Sequence, residues 1–434
     1  MPIERELLKK VILEQRAIPM PTDYVERQIN SVITPLLHGS SIIIITGVRR
    51  CGKSVVLKNI RKSMQESDYY LNFDDDRLVN FTVEDFQMLY EIFVEMFGEQ
   101  KTFYFDEIQN ILEWERFVRR LHEHGNKVFI TGSNASMLSV ELGTRLTGRN
   151  ISVSMYPYSF YEFVSYKNSG LLQRIIKNNL TTTTVDTGLF AGLFNEYMQV
   201  GGIPEYVKDQ QDDYISSLYE NILYKDIIVR HKLTKVQELK QLGFFAASNV
   251  GKKITLNSVR KMLNLGNAST VSEYYGYFEQ SFLTFLVNEH HDSVKKQLRN
   301  KKKQYFIDQG MARIVGFRTS EDYGRLLENI VFIELKRRKQ EIYVYQGQYE
   351  CDFIIVDKNK VKSAIQVCKN LDDIDTKTRE YNGILEAMNT HKLDRGLILT
   401  ENVQKTENIV IENSKNNLTI EIMPVWKWLL DPNY

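Results

Sequence analysis

The sequence predicts an α/β protein built on a parallel sheet, and two stretches carry that prediction. Residues 42–57 read IIIITGVRRCGKSVVL: four successive isoleucines, a loop from Gly47 to Gly52, and a helix opened by Lys53 and Ser54. Residues 102–110 read TFYFDEIQN, an aromatic run closed by two carboxylates. An apolar run without alternation suits a strand buried on both faces, as in a parallel sheet. Both runs end in residues suited to phosphate chemistry, so the sheet is expected to present its site at the carboxyl ends of its strands.

Composition narrows the classes. The chain has 434 residues, with 56 Lys+Arg against 55 Asp+Glu and a net charge of +1. That length suggests about three domains of about 150 residues. The charge balance advertises no polyanionic partner, so any nucleic-acid surface must be local. Cys51, Cys351 and Cys368 are too few for a disulfide framework and lack zinc-site spacing. No apolar run reaches the ~18 residues of a membrane span. The start, MPIERELLKKVILEQR, has no signal-peptide core. The expectation is a cytoplasmic protein without membrane contact.

In order along the chain, residues 1–40 are expected to form helices, with Leu7, Leu8, Val11 and Ile12 at helical spacing. A second helix is expected after Pro21, with Asp23 and Glu26 at capping-box spacing. From Gly47 the spacing is G-x-x-x-x-G-K-S, the phosphate-binding P-loop. Gly47 and Gly52 permit the tight loop, whose amides, together with the helix N-terminus, point at phosphates. Arg49, Arg50, Cys51 and Val55 complete the expected ATP cradle around Lys53 and Ser54. Lys53 reaches the β- and γ-phosphates, and Ser54 is a candidate Mg²⁺ ligand. A strand is expected at Tyr69–Asp74, and the acidic triplet Asp74–Asp76 reads as a solvated turn rather than a metal site. A helix over 82–98 has Thr82 as its cap. At the end of the aromatic strand, Asp106 is expected on Mg²⁺ through water, and Glu107 to orient or deprotonate the attacking water. A helix over 111–124 places Leu112, Phe117, Val118 and Leu121 on one face. The strand Lys127–Thr131 ends in Gly132-Ser133-Asn134, where Ser133 or Asn134 can position the water or simply cap a helix. Arg145 and Arg149 precede another strand, Ile151–Met155. Either can act across a subunit boundary on a neighbour's nucleotide, or form an ordinary salt bridge.

The segments GVRRCGKS (47–54), FDEIQ (105–109), ITGSNA (130–135), LTGRN (146–150) and YPYSFYEF (156–163) resemble the AAA+ branch of P-loop ATPases. More closely, they resemble the prokaryotic AAA_14 ATPases that carry a DUF4143 region, and YMQVGGIPEY (197–206) is similar to an element of that group. The resemblance covers nearly the whole chain. It implies an AAA-type domain over 1–165 and a helical lid over 166–240. It also implies ATP and Mg²⁺ as cofactors and a homo-oligomer such as a hexameric ring.

Residues 241–298 read as a winged-helix unit: a helix at Leu256–Leu263, a turn, a second helix at Ala268–Glu279, then apolar Phe282–Val287. Such a second helix can enter the DNA major groove, but this one carries Glu273 and Glu279 and no Lys or Arg. The run Lys295–Lys303 holds six positive charges and can track a phosphate backbone, or it is a solvated hairpin. Residues 299–434, beginning with a strand at Gln304–Gly310, resemble the PD-(D/E)xK nuclease core. Glu328 and Asp352 fit, but Gln366 stands at the expected glutamate, Cys368 at the expected lysine, and Lys369 faces the other side of its strand. The resemblance therefore implies a degenerate nuclease fold. The functional expectation is an ATPase coupling hydrolysis to binding or remodelling of DNA, including branched DNA. Two other classes stay open: a nucleotide-dependent protein-interaction switch in signalling or defence, and an ATPase-regulated nuclease.

Overall fold

Strand β1 (Ile42–Gly47) is buried at every position, as its unbroken isoleucines require. In the computed structural model, which describes residues 3–134, 146, 148–178, 180–291, 293–317, 323–410 and 417–431, it lies inside a five-stranded parallel sheet. The other members are β2 (Tyr69–Asn72), β3 (Thr102–Asp106), β4 (Lys127–Gly132) and β5 (Asn150–Met155), in the order β2-β3-β4-β1-β5. Register pairs Ile44 with Ile130 on one side and with Ser152 on the other. Among the described residues, the α-helices of this unit are α1 (Arg5–Ala17), α2 (Ile29–Ile33), α3 (Lys53–Ser63), α4 (Phe86–Phe97) and α5 (Trp114–Glu123). Its core is aromatic: Phe86 stacks on Phe117 with ring centroids 4.5 Å apart, and Tyr69 stacks on Phe93 at 4.8 Å.

Three local expectations change. The helix after Pro21 does not start at Asp23; residues 24–27 have no regular structure and α2 begins only at Ile29. Thr82 caps as expected, through a reciprocal bond with Asp85, but the first turn is a 3₁₀ helix. Leu112 is 85% exposed, because α5 starts at Trp114 and buries Trp114, Phe117, Val118 and Leu121 instead.

The chain divides into two compact units, residues 1–156 with 280–282, and residues 157–279 with 283–434. The second opens with helices α6 (Phe160–Lys177), α7 (Thr184–Val200), α8 (Pro204–Asp209) and α9 (Asp212–Asn221). The last runs on as a π-helical stretch, Ile222–Val229. Then come α10 (Val236–Ser248), β6 (Lys253–Ile254), α11 (Leu256–Met262), α12 (Ala268–Gln280), β7 (Thr284–Asn288), α13 (Val294–Arg299) and β8 (Lys302–Phe306). The strand expected to open the final α/β region is β8, and it joins β6 and β7 in an antiparallel sheet ordered β6-β8-β7. After α14 (Gln309–Val315) and α15 (Tyr323–Arg337) comes a six-stranded mixed sheet of β9 (Glu341–Gln346), β10 (Glu350–Asp357), β11 (Lys360–Val367), β12 (Arg395–Thr400), β13 (Lys405–Val410) and β14 (Asn417–Pro424). Its order is β13-β14-β12-β11-β10-β9, with β11, β12 and β14 parallel. Helices α16 (Ile374–His391) and α17 (Val425–Leu430) complete the unit.

The glycine pair in YMQVGGIPEY has a clear physical reason. Gly201 has φ +79, and a Cβ there would lie 2.2 Å from Asp308 Oδ1. A Cβ on Gly202 would lie 2.3 Å from the Tyr158 carbonyl oxygen. Space is short because the Tyr158 amide donates to the Gly202 carbonyl at 2.6 Å and the Gly202 amide donates to Asp308 at 2.6 Å. The Tyr197 hydroxyl donates to the Tyr158 carbonyl at 2.8 Å. The two motifs of this unit are thus halves of one buried polar joint.

Candidate functional site

The P-loop follows β1 directly. Arg50 has φ 65 and Gly52 φ 102, so the loop reverses twice before α3 begins at Lys53. Gly47 cannot carry a side chain, since a Cβ would sit 2.1 Å from the Met155 carbonyl oxygen on β5. Lys53 is buried, and its ammonium donates to the Gly47 and Val48 carbonyls at 3.2 and 3.3 Å. It also pairs with Glu107 at 3.2 Å. Cys51 is buried beneath the loop, where burial pushes its thiol pKa up, so it is an inert part of the scaffold. Arg49 pairs with Asp74 at 3.4 Å.

The two carboxylates take different environments. Asp106, at the end of β3, accepts bonds from the Thr131 hydroxyl and from the Tyr70 hydroxyl at 3.3 Å, and the nearby Ser54 favours its charged form. Burial and the adjacent Glu107 push its pKa up. Glu107 turns away because its φ is 52, and its amide donates to Thr131 Oγ1 at 3.0 Å. Burial opposes its ionisation, but Lys53, Gln109 and Arg49 hold its pKa below the ordinary glutamate value. Gln109 Nε2 donates to Glu107 and lies 3.4 Å from Ser133 Oγ. Ser133 and Asn134 are both buried at the end of β4. Lys53, Glu107, Gln109 and Ser133 are therefore linked through polar contacts, and Asp106 joins them through Thr131.

The residues suit the expected ligands. The Ser54 hydroxyl and the Asp106 carboxylate are a sparse oxygen set, which suits Mg²⁺, an ion that keeps most of its waters. Among the described residues, Gln109 Oε1 and Thr46 Oγ1 are buried without a hydrogen-bond partner beside this cluster, the latter one residue before the loop. The Asp74–Asp76 turn is otherwise engaged: Asp75 binds Arg77 and Gln15, and its carboxyl is held well below the usual range by Arg77. Among the described residues no group of three or more His, Cys, Asp or Glu is arranged to hold a metal. Arg149 lies 3.3 Å from Glu123 of the same chain, and Arg145 falls outside the described residues.

Sequence reasoning left Thr131, Tyr70, Gln109 and Arg27 without roles. Thr131 and Gln109 had a signal, being polar residues closing an apolar strand and following the two carboxylates. Arg27 had none: its guanidinium donates to the Cys51 carbonyl at 2.6 Å and to the Tyr156 carbonyl at 2.7 Å, and the arginine is 5% exposed.

In the second unit, Glu328 and Asp352 do come together, around a residue that sequence reasoning placed elsewhere. The Lys303 ammonium lies 2.7 Å from Glu328, 2.8 Å from Asp352 and 2.9 Å from Glu350. Burial opposes its charge, yet Asp352, Glu328 and Glu350 hold its pKa well above the ordinary lysine value. Burial and Asp352 push Glu328 up to about 8. Gln366 accepts from the Asp352 amide at 3.1 Å and donates to Glu380. Cys368 is buried, and Lys369 lies apart, with its ammonium 5.0 Å from the centroid of the Tyr323 ring. The basic run is correspondingly reduced: Lys303 is internal and Lys302 is bonded to Asn288, leaving Lys295, Lys296, Arg299 and Lys301 exposed.

Residues 39–164 match the family model AAA_14, described as an AAA domain, and residues 191–322 match a domain of unknown function, DUF8612, where DUF4143 was expected. The chain is 32% identical over 440 residues to the uncharacterized protein MJ1544 of Methanocaldococcus jannaschii, spanning 98% of this chain and 95% of the relative. It is 30% identical over 409 residues to an uncharacterized protein of Haemophilus influenzae, spanning 90% and 94%. Among solved structures, the Aeropyrum pernix Orc1 protein in complex with DNA aligns over 71% of this chain and 95% of its own, at 12% identity and a TM-score of 0.29. The chain therefore belongs to the family of MJ1544 and its Haemophilus influenzae relative, and carries the AAA-type P-loop domain in its first part.

Proposed function

We propose that the chain is an ATP-hydrolysing AAA-type ATPase that works as an oligomer and couples hydrolysis to binding or remodelling DNA. The observation that carries the ATPase reading is the convergence of Lys53, Asp106 and Glu107 at the ends of β1 and β3. The loop amides and Lys53 bind the phosphates. Mg²⁺, when bound through Ser54 and Asp106, offsets phosphate charge. Lys53 is bonded to the Gly47 and Val48 carbonyls and to Glu107, so phosphate binding exchanges these partners for γ-phosphate oxygens. Glu107 then keeps Gln109 as its partner and faces the water, whose proton it accepts as an ionised carboxylate. Ser133 and Asn134 fix that water from the end of β4.

The DNA reading is supported by the order α10-β6-α11-α12-β7-α13-β8 with its antiparallel β6-β8-β7 sheet, which is the order of a winged helix with the short helix α13 inserted in its wing. The β7–β8 connection exposes Lys295, Lys296, Arg299 and Lys301, a patch suited to backbone contact without base reading. The absence of Lys and Arg from α12 favours a second reading, a nucleotide-dependent protein switch. The Glu328–Asp352 pocket, filled by Lys303 and with Cys368 at the expected lysine position, supports a degenerate nuclease-like fold without cleavage. Oligomerisation rests on Arg145 or Arg149 acting on a neighbour.

The test is ATP turnover by wild type and Glu107→Gln without DNA and with duplex, single strands or a four-way junction, at two salt concentrations. We expect Glu107→Gln to bind ATP but turn over about 10²–10⁴-fold more slowly, and one DNA form to raise wild-type turnover in a salt-sensitive way. Turnover indifferent to every DNA selects the protein switch. Equal inactivity of both proteins despite ATP binding overturns the hydrolysis reading. ATP-dependent change in mass by light scattering tests the oligomer.

A further inference from the structure

We propose that Arg27 is a positioning residue for the nucleotide phosphates, an inference that rests on the ATP-binding reading of the P-loop. Arg27 lies outside every motif of the site, yet its guanidinium is buried behind the loop and holds the Cys51 carbonyl at 2.6 Å. A trans peptide points its C=O and its N–H in opposite directions. Fixing the Cys51 carbonyl toward Arg27 therefore turns the Gly52 amide the other way, into the cradle where phosphate oxygens need donors. Gly52 is shaped by the same contact: a Cβ there would stand 3.2 Å from Arg27 Nη1, and its φ is 102.

The second contact makes the support rigid. Arg27 also donates to the carbonyl of Tyr156, which follows β5, at 2.7 Å. One planar group thus bridges the loop after β1 and the residue after β5, the strand paired with β1. Arginine suits this task because its rigid fork addresses two carbonyls at once and stays charged when buried. Lysine, a point charge on a flexible stem, can serve one carbonyl at a time. The cation also stands close enough to the loop to lower the Cys51 thiol pKa against the larger effect of burial. The same field favours an anion in front of the loop. Residues 24–27, which have no regular structure, deliver Arg27 to this place ahead of α2.

The experiment measures equilibrium binding of a fluorescent ATP analogue with Mg²⁺ to the full chain, alongside the urea unfolding midpoint, for wild type, Arg27→Lys, Arg27→Met and Arg27→Ala. Loss of a charge-assisted bond to the loop should raise Kd about tenfold or more in Arg27→Met. Arg27→Lys should fall between Arg27→Met and wild type. Low-millimolar guanidinium should restore binding to Arg27→Ala without restoring it to Lys53→Ala, a rescue that a purely structural role would not produce. Variants that bind as wild type does overturn the proposal. Weakened binding that tracks the unfolding midpoint, with no rescue and no advantage for lysine, also overturns it and makes Arg27 a scaffold residue. A wild type that binds no nucleotide removes the ATP-binding reading itself, and the role of Arg27 with it.

Discussion

Lys303 shows how much one side chain can hold. Its ammonium is 4% exposed and meets three carboxylates within 2.9 Å. Removing one partner of such a buried cluster leaves uncompensated charge and costs about 3–5 kcal/mol. Lys303→Ala should lower the unfolding free energy of the second unit by that amount, read from denaturant melts, while Lys369→Ala, at an exposed position, should change it by less than about 0.5 kcal/mol. Nothing local in the sequence marks Lys303, which looks like the last member of a basic run. Its role comes from a contact 49 positions away. Lys53 and Asp106 were legible for the opposite reason: each sits in a short motif whose chemistry and local geometry are contiguous in the chain.

At the scale of elements, the joint of Gly201, Gly202, Tyr158 and Asp308 gives two expectations. Gly201→Ala forces a side chain into a glycine-only conformation, at about 1–3 kcal/mol, and against Asp308. A fall in unfolding midpoint of that order, in far-UV circular dichroism, is expected. Asp308 itself is pushed by burial up to about 6, although the Gly202, Met311 and Gly310 amides pull it down. The folded chain therefore holds this proton more tightly than the unfolded chain. The group's contribution is complete below the ordinary aspartate value and is lost as pH rises through about 6. That leg amounts to about 3 kcal/mol. Wild-type stability should show it, and Asp308→Asn, destabilised throughout by an amide facing a backbone N–H, should lack it. The strands of the parallel sheet, β1 to β5, were legible as apolar runs. Pairing partners were less so, since β8 has the same apolar character whichever sheet receives it. The helix expected after Pro21 failed because the Arg27 contacts with Cys51 and Tyr156 outweigh local helical preference there.

For the whole molecule, division into two compact units predicts unfolding in two steps rather than one. A ligand bound by one unit stabilises that unit alone, by about 2.7 kcal/mol at a hundredfold excess over its Kd. Mg²⁺ with a non-hydrolysable ATP analogue should raise one calorimetric transition and leave the other in place. A shift of both by equal amounts would refute the assignment of nucleotide to the first unit alone. The order of elements was readable along the chain as far as Lys369, but the division near Tyr156 was not, because YPYSFYEF runs across it as one motif.

The internal ammonium of the second unit has a practical consequence. A carboxylate pocket that carries its own counter-ion on a neighbouring strand owes nothing to the ionic content of the buffer. EDTA during purification should therefore leave that unit's melting unchanged while it silences ATP turnover, and excess magnesium should bring turnover back. A chelator becomes a reversible off-switch for one half of the protein that spares the other.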